Sequence, residues 1–168
     1  GGKSYPHSLD LRDPKSIDTL VKNTINKFGK IDILINNASA LYWDKLENTN
    51  INKYNLVNDI NARGTFLLSK ACVPYMPKGS HIITHSPPID NLSMNMYFKN
   101  NLFKNKIAYM VSKIGMSVVA SGLAQELKGT ISSNCLWPLK PVNSFALTHN
   151  PHFPKYMSDP KNMRNTDI

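Results

Sequence analysis

Short apolar runs alternate with helical patterns along most of this 168-residue chain. "KIDILINNA" and "SHIITHS" each hold a brief apolar run bounded by turn-forming residues, which is typical of a buried strand in a parallel sheet. Apolar side chains at helical spacing fill the intervals between such runs. We predict the order strand, helix, strand, helix, strand, helix, strand. This order indicates an α/β fold with a Rossmann-like, doubly wound parallel sheet.

The clearest helix signal follows a short strand that we place at residues 7–11. In "RDPKSIDTLVKNTINKFGK", Asp13 is a suitable cap, Pro14 suits the first helical position and Gly29 suits the stop. The next strand, at residues 33–35, consists of three consecutive apolar side chains. We therefore expect it to be buried on both faces of the sheet.

The second half of the pattern contains two long helices. We place them at about residues 50–76 and 105–127, with the strand "HIITH" between them and the strand "TISSNCLWP" at the end. Residues 87–103 are rich in Asn and Met, and we expect them to be irregular. We expect residues 1–168 to form the core of one domain, in which residues 139–168 make a loop region on the substrate side.

Composition narrows the function classes only slightly. The net charge of +9 favours an anionic partner, but the lysines are spread along the chain and no nucleic-acid recognition motif accompanies them. A phosphate-bearing cofactor would suit the charge equally well. Cys72 and Cys135 lie far apart without metal-ligand spacing, so we expect no metal site and an intracellular, reducing compartment. No apolar run reaches the length of a membrane span, and the first residues lack a signal-peptide pattern.

Polar and turn-forming residues stand where the predicted strands end. Ligands of parallel sheets bind beyond the carboxyl ends of the strands, so we expect these residues to share one rim. Tyr109 and Lys113 follow the third strand and lie one helical turn apart. This pair alone is weak evidence, since a solvated amphipathic helix gives the same spacing. The residues at the strand ends are Asp10, Leu11, residues 36–39, residues 84–87, Trp137 and Pro138.

Several segments together resemble the short-chain dehydrogenase/reductase superfamily, and within it the hydroxysteroid dehydrogenase-like protein 2 group. They stand in family order over residues 1–141 and include "KFGKIDILINNASA", "NDINARGTFLLSKACVPYM", "HIITHSPP", "AYMVSKIGMS" and "NCLWPLK". The resemblance implies an oxidoreductase that uses NADP or NAD on a small carbonyl or alcohol substrate, with a lipid-like substrate as one option. It also implies a homo-oligomer in the cytoplasm, the peroxisome or the mitochondrion.

The resemblance implies catalytic roles for Tyr109, Lys113, Asn61 and Ser86. Tyr109 would be the general acid/base, and it needs help because a free phenol titrates near pH ~10. The Lys113 charge would lower the pKa of Tyr109, and its ammonium would hold the nicotinamide ribose. Asn61 would position a water that connects the lysine to solvent.

The resemblance also implies a set of cofactor-binding residues. Asp10 would bind the adenine beside the backbone of Leu11, and Pro138 would approach the nicotinamide carboxamide through backbone groups. Asn37, Ala38 and Ser39 would lie against the cofactor ribose, together with Tyr109 and Lys113. Asn36, by contrast, is expected to link strands.

Two departures from the family pattern bear on the candidate site. No Gly-rich nucleotide loop is present, and we expect that loop to lie upstream of Gly1. The family's usual catalytic serine is replaced by Pro87, which has no donor for an oxyanion. Ser86 and Ser93 are the two alternatives for the missing hydroxyl. A non-catalytic dinucleotide- or lipid-binding module that keeps the fold therefore remains the second hypothesis.

Overall fold

A computed structural model describes residues 2–138, so the predicted loop region at 139–168 lies outside the described residues. Within that range three parallel strands form one sheet in the order β1-β2-β3. The strands are β1 (Ile33–Asn36), β2 (His81–His85) and β3 (Ser132–Leu136). The helices are α1 (Pro14–Phe28), α2 (Ile51–Asn58), α3 (Gly64–Cys72), α4 (Asn91–Lys99) and α5 (Ile107–Glu126). The α/β class and the parallel sheet are confirmed, with an incomplete Rossmann-like arrangement of strands.

Helix α1 begins and ends at the residues that its sequence predicts. The Asp13 side chain accepts a hydrogen bond from the backbone of Lys15, and Pro14 occupies the first helical position. Gly29 ends the helix at φ 82, a left-handed conformation that suits glycine, and its N–H donates to the Ile25 carbonyl.

The strand predicted at residues 7–11 is not formed. In the described part of the chain, none of the three paired strands includes this segment. Backbone groups need a neighbouring strand to form a ladder, whereas here apolar contacts and side-chain hydrogen bonds to Ser16 and Asn23 of α1 hold the segment. Leu11 is buried in the core and Leu9 packs against it. The segment is therefore a loop that leads into α1.

The prediction that β1 is buried on both faces is wrong. Leu34 and Asn36 are buried against the helices, whereas Ile33 and Ile35 are 58% and 60% exposed. Side chains alternate between the two faces of a strand, and within residues 2–138 the helices α1, α3 and α5 cover only one face. The apolar run thus fits a half-covered strand as well as a fully covered one.

The long helix predicted at 50–76 is present, but a π turn interrupts it. Asn50 caps α2 by accepting from the backbone of Asn52, and the π turn Asp59–Arg63 then joins α2 to α3. The extra residue of a π turn changes which side chains face the core. Asn61, inside this turn, is fully buried.

Residues 87–103 contain a helix, which the composition did not predict. Helix α4 begins after Asp90, whose carboxylate accepts from the backbone N–H of Ser93. Tyr97 is buried, and its hydroxyl donates to the Pro88 carbonyl at 3.0 Å. This tertiary bond holds α4 against the end of β2.

Helix α5 is the longest and most apolar helix of the described residues. By length and mean hydropathy (1.5) it could cross a bilayer, but 39% of that stretch is buried inside the protein and core helices show the same composition. It packs against β2, β3, α2 and the π turn. At that contact, a Cβ added to Gly115 would lie 2.8 Å from the Ala62 Cβ, whereas one added to Gly122 would meet nothing within 4 Å.

This contrast predicts opposite effects of the same substitution in one helix. Gly115→Ala should lower the free energy of unfolding by about 1–3 kcal/mol, because the new methyl overlaps Ala62. Gly122→Ala, the matched control, should raise it by about 0.5–1 kcal/mol through lower backbone entropy. Urea unfolding of both variants measures the difference. Equal effects of the two substitutions would contradict the close packing of α5 on the π turn.

Candidate active site

Lys113 lies in α5 with its ammonium at the carboxyl end of β2. The side chain is only 1% exposed, and its Nζ donates to the His85 carbonyl. Trp137, just beyond β3, places its ring 5.8 Å from Nζ and 5.6 Å from the His85 ring. Burial and then the Lys113 charge lower the pKa of His85. The lysine therefore joins the helix to the rim where β2 and β3 end.

Asn61 is the centre of a buried hydrogen-bond network. Its Oδ1 accepts from the Ala40 N–H at 2.7 Å, and its Nδ2 donates to the Ala40 carbonyl at 3.0 Å. The same Nδ2 donates to Ser112 Oγ at 2.8 Å, and Ser112 Oγ donates to the Tyr109 carbonyl at 2.7 Å. One amide thus connects the loop after β1 with the first turn of α5.

The Tyr109 ring is half-buried under the loop that follows β1. The Trp43 ring packs edge-on against it, with the centroids 6.2 Å apart, and Lys106 Nζ lies 4.7 Å from the Trp43 centroid. Burial raises the pKa of Tyr109 to about 12, while a hydrogen bond with the Ser39 side chain acts in the opposite direction. Burial lowers the pKa of Lys113 to about 8. The lowering of the Tyr109 pKa by the Lys113 charge, which the family resemblance implies, stays a prediction.

Ser86 and Ser93 are the two alternatives for the hydroxyl that is missing at Pro87. Within residues 2–138, neither of them forms a hydrogen bond with Tyr109. Ser86 Oγ is fully enclosed and has no partner there, while its backbone N–H donates to the Leu136 carbonyl. Ser93 Oγ donates to an Asp90 carboxylate oxygen at 2.6 Å and so belongs to the cap of α4. The carbonyl of Pro87 accepts from Ser117.

Part of the predicted cofactor set shares one cleft. Leu11, Asn37 and Ala38 line a cavity of about 300 Å³ beside β1. Asn36 lies at the same strand end, and its Nδ2 donates to Ser69 Oγ at 3.0 Å and to Thr84 Oγ1 at 3.4 Å. The expectation that Asn36 links strands is therefore confirmed.

The Asp10 carboxylate is paired with Arg12, and its predicted contact with the adenine stays a prediction. Arg12 donates to it from the backbone N–H, from Nε to both carboxylate oxygens and from Nη2, at 2.6 to 3.2 Å. These bonds lower the pKa of Asp10 to about 2. The Asp10 side chain is still 45% exposed beside Arg12, so its carboxylate remains open to solvent. Pro138, by contrast, follows Trp137 at the same end of the sheet as Lys113.

Sequence reasoning missed three side chains of this region. Ser112 precedes Lys113 within "YMVSK" and completes the Asn61 network, Trp43 packs against Tyr109, and Lys106 lies over the Trp43 ring. It also assigned Ser39 only to the cofactor, although the serine stands where the superfamily usually has glycine in its Asn-Asn-Ala-Gly motif. That departure was the one available signal for its effect on the pKa of Tyr109.

Comparison with known proteins decides the family. A family model described as "Enoyl-(Acyl carrier protein) reductase" matches residues 1–165. A short chain dehydrogenase from Mycobacterium thermoresistibile aligns with a TM-score of 0.77 and 37% identity, over 88% of this chain and 51% of that one. The chain belongs to the short-chain dehydrogenase/reductase family.

This short-chain dehydrogenase/reductase is also similar to curated relatives and to further solved structures. Hydroxysteroid dehydrogenase-like protein 2 of Bos taurus is 42% identical over 149 residues, which are 88% of this chain and 34% of the relative. The chain thus spans about a third of the length of the curated relatives it matches. A blue fluorescent protein from a metagenomic library, solved with NADPH, shares the fold (TM-score 0.71, 24% identity, 82% of this chain and 53% of that one).

The Asn61 network predicts a large stability effect from one buried amide. Asn61→Ala should lower the free energy of unfolding by about 2 kcal/mol or more, because it leaves the Ala40 N–H and carbonyl without partners. Asn55→Ala, at an exposed position of the preceding helix, should change it by less than about 0.5 kcal/mol. Denaturant titration compares the two variants. A small effect at Asn61 would show that the network carries little stability.

The lowered pKa of Lys113 predicts a pH-dependent penalty. The pKa of Lys113 is about 8 in the folded state and 10.5 in the unfolded state, so the unfolded state binds more protons between these two values. The free energy of unfolding of the wild type therefore rises as the pH increases from about 8 to 10.5. Lys113→Met removes the buried charge. The stability advantage of Lys113→Met over the wild type should therefore shrink by about 3 kcal/mol across this window. Denaturant unfolding at several pH values checks the slope, and a constant difference would contradict the burial of a charged Lys113.

Proposed function

We propose that this chain carries the catalytic centre of a nicotinamide-dependent oxidoreductase that interconverts a carbonyl and an alcohol. One observation supports this above the rest: the Asn61 network fixes Tyr109, and Lys113 one turn away is buried at the carboxyl end of a parallel strand. Ligands of such sheets bind at that end. The family membership and the dehydrogenase neighbours support the same reaction class.

The residues at the rim fit NAD or NADP at two points. An ammonium has three N–H donors, and the His85 carbonyl takes one of those of Lys113, which leaves donors for ribose hydroxyls. Leu11, Asn37 and Ala38 line the cleft expected to hold the remainder of the nucleotide. The bound nicotinamide supplies or accepts the hydride. Asp10 pairs with Arg12 and keeps an exposed side chain from which it could also bind the adenine.

Tyr109 is proposed to move the proton at the substrate oxygen. With its pKa raised to about 12, the phenol keeps its proton at neutral pH, which suits donation to a carbonyl oxygen during reduction. In the oxidation direction Tyr109 must accept a proton, which requires groups that stabilise the phenolate. The Ser39 hydrogen bond acts in this direction, and the Lys113 charge is proposed to do so as well.

The assembly is proposed to be a homo-oligomer through α5. Ile107, Val111 and Val118 are 47%, 47% and 57% exposed, and they recur at helical spacing along one side of the helix. Such a contiguous apolar stripe is typical of an interface between protein copies.

The second candidate is a binding module that holds a dinucleotide or a lipid without turnover. The observation in its favour is at the end of β2, where Pro87 offers no donor and Ser86 is fully enclosed. The two candidates make different predictions for Tyr109. In the oxidoreductase it takes part in the chemical step, whereas in the binding module its removal affects folding at most.

The oxidoreductase proposal predicts a specific loss in Tyr109→Phe. Without the phenolic proton, kcat/KM should fall by about 10²- to 10⁴-fold, while the affinity for NADPH or NADH stays within about twofold. Turnover of a panel of carbonyl compounds and calorimetric titration of both cofactors measure these quantities on the protein at its full natural length. Tyr75→Phe, at an exposed position, should leave both unchanged.

Two results would count against the oxidoreductase. Tight cofactor binding without turnover of any compound in the panel would favour the binding module. Turnover that survives in Tyr109→Phe would remove Tyr109 from the proton-transfer role.

A further inference from the structure

A second lysine stands near Tyr109, on the opposite side from Lys113 along the helix. This inference rests on the proposed function, because it names the class of substrate on which Tyr109 would act. Lys106 directly precedes α5, and Tyr109 and Lys113 follow it at helical spacing. Residues three and four positions apart share a helix face, so one lysine precedes the phenol on this face and another follows it. The cofactor accounts for Lys113, whereas Lys106 has no role in the proposed reaction so far.

The backbone holds Lys106 in a defined place before α5. Asn105 has φ 58, in the left-handed region that Asn adopts more readily than most residues, and it turns the chain into the helix. The Lys106 N–H donates to the Phe103 carbonyl at 3.2 Å, and the Lys106 carbonyl accepts from the Met110 N–H at 2.9 Å. Both backbone groups of Lys106 are used, so its position relative to Tyr109 is set by the first turn of the helix.

The Lys106 ammonium lies over the ring that packs against Tyr109. Its Nζ is 4.7 Å from the Trp43 centroid, and the Trp43 and Tyr109 centroids are 6.2 Å apart. Trp43 is buried, so its ring is a fixed support. A cation over an indole is attracted by the electrons of the ring face. The indole thus holds the ammonium near the phenol without neutralising its charge.

No carboxylate within residues 2–138 lies at ion-pair distance from this ammonium. Asp44, next to Trp43 in the loop, accepts instead from the Tyr42 hydroxyl at 3.3 Å and from the Lys45 N–H at 2.8 Å. Lys106 is half-buried, and burial lowers its pKa. An ammonium that is partly removed from water needs an opposite charge or acceptors for its three donors. An anion from outside the protein would supply both.

Local stability does not explain the charge of Lys106. The residue stands at the N-terminal end of α5, and the first turn of this helix contains no acidic residue. The positive end of the helix dipole lies there and disfavours a cation. An uncharged side chain such as methionine could also cover the Trp43 ring. These points favour a role in binding over a role in folding.

We propose that Lys106 is a specificity-determining residue, whose ammonium binds an anionic group of the substrate, a carboxylate or a phosphate, while Tyr109 serves the substrate oxygen. The substrate is then an anionic carbonyl compound or the alcohol that corresponds to it. In reduction, the carbonyl carbon receives hydride from the nicotinamide, and the carbonyl oxygen receives the Tyr109 proton. The anionic group and the Lys106 ammonium both stay charged. The ion pair orients the substrate and takes no part in the chemical step.

The test compares anionic carbonyl compounds with their neutral esters on the full-length protein. The probes are levulinate, its longer methyl-ketone homologues and the methyl esters of all of them, so that the chain length varies the distance between ketone and anion. The corresponding oxoalkyl phosphates distinguish a phosphate from a carboxylate. The wild type should have a lower KM for the anion than for the ester at one chain length.

The variants separate charge from structure. Lys106→Met should raise KM for the preferred anion by about 10- to 100-fold, because a hydrogen bond to a charged group is lost. In the same variant, KM and kcat for the neutral ester should stay within about twofold, which also controls for folding. Lys106→Arg, which keeps the charge, should retain most of the preference for the anion. Lys104→Met, which removes an exposed lysine nearby, should behave like the wild type.

Calorimetric titration of the same probes into the protein with NADP gives a readout that does not need turnover. A wild type without preference for the anion in either readout would overturn the inference, and so would a preference that survives in Lys106→Met. Turnover of the esters that Tyr109→Phe abolishes would leave the oxidoreductase proposal standing in both cases. A binding preference that Lys106→Met removes supports the inference even if no probe is turned over, a result that would defeat the proposed function alone.

Discussion

The arrangement of this site depends on one buried amide, that of Asn61. A fully buried amide must find partners for its donors and acceptor, because each unpaired polar group costs about 1–3 kcal/mol. The π turn between α2 and α3 turns Asn61 inward, where Ala40 and Ser112 satisfy it. The loop after β1 and the helix of Tyr109 are therefore positioned by the same side chain.

Burial then sets the chemistry of the two titratable groups on α5. Removing water disfavours the charged form of each, so it raises the pKa of the Tyr109 phenol and lowers that of the Lys113 ammonium. Both shifts oppose the charged pair that proton abstraction requires. Specific hydrogen bonds have to compensate, and the structure offers the His85 carbonyl to Lys113.

Local sequence signals predicted the parts of the fold that local physics determines. Asp13 and Gly29 mark the ends of α1, because caps and a left-handed glycine act within one turn. The exposure of Ile33 was unpredictable, since it depends on which elements cover the sheet. Helix α4 depends on a tertiary bond of Tyr97, and the hydrogen bonds of Asn61 to Ala40 and Ser112 join residues far apart in the chain. Family resemblance supplied the roles of the site residues, whereas their contacts required the structure.

Hydrogen exchange at the Ala40 amide tests the central claim most directly. Its N–H donates to the Asn61 Oδ1 at 2.7 Å, so it should exchange far more slowly than the neighbouring loop amides that lack a buried acceptor. In Asn61→Ala this protection should disappear while the α1 amides stay protected. NMR measures both in one experiment. An Ala40 amide that exchanges as fast as its neighbours in the wild type would contradict the account, because the loop would then be free of the helix that carries Tyr109.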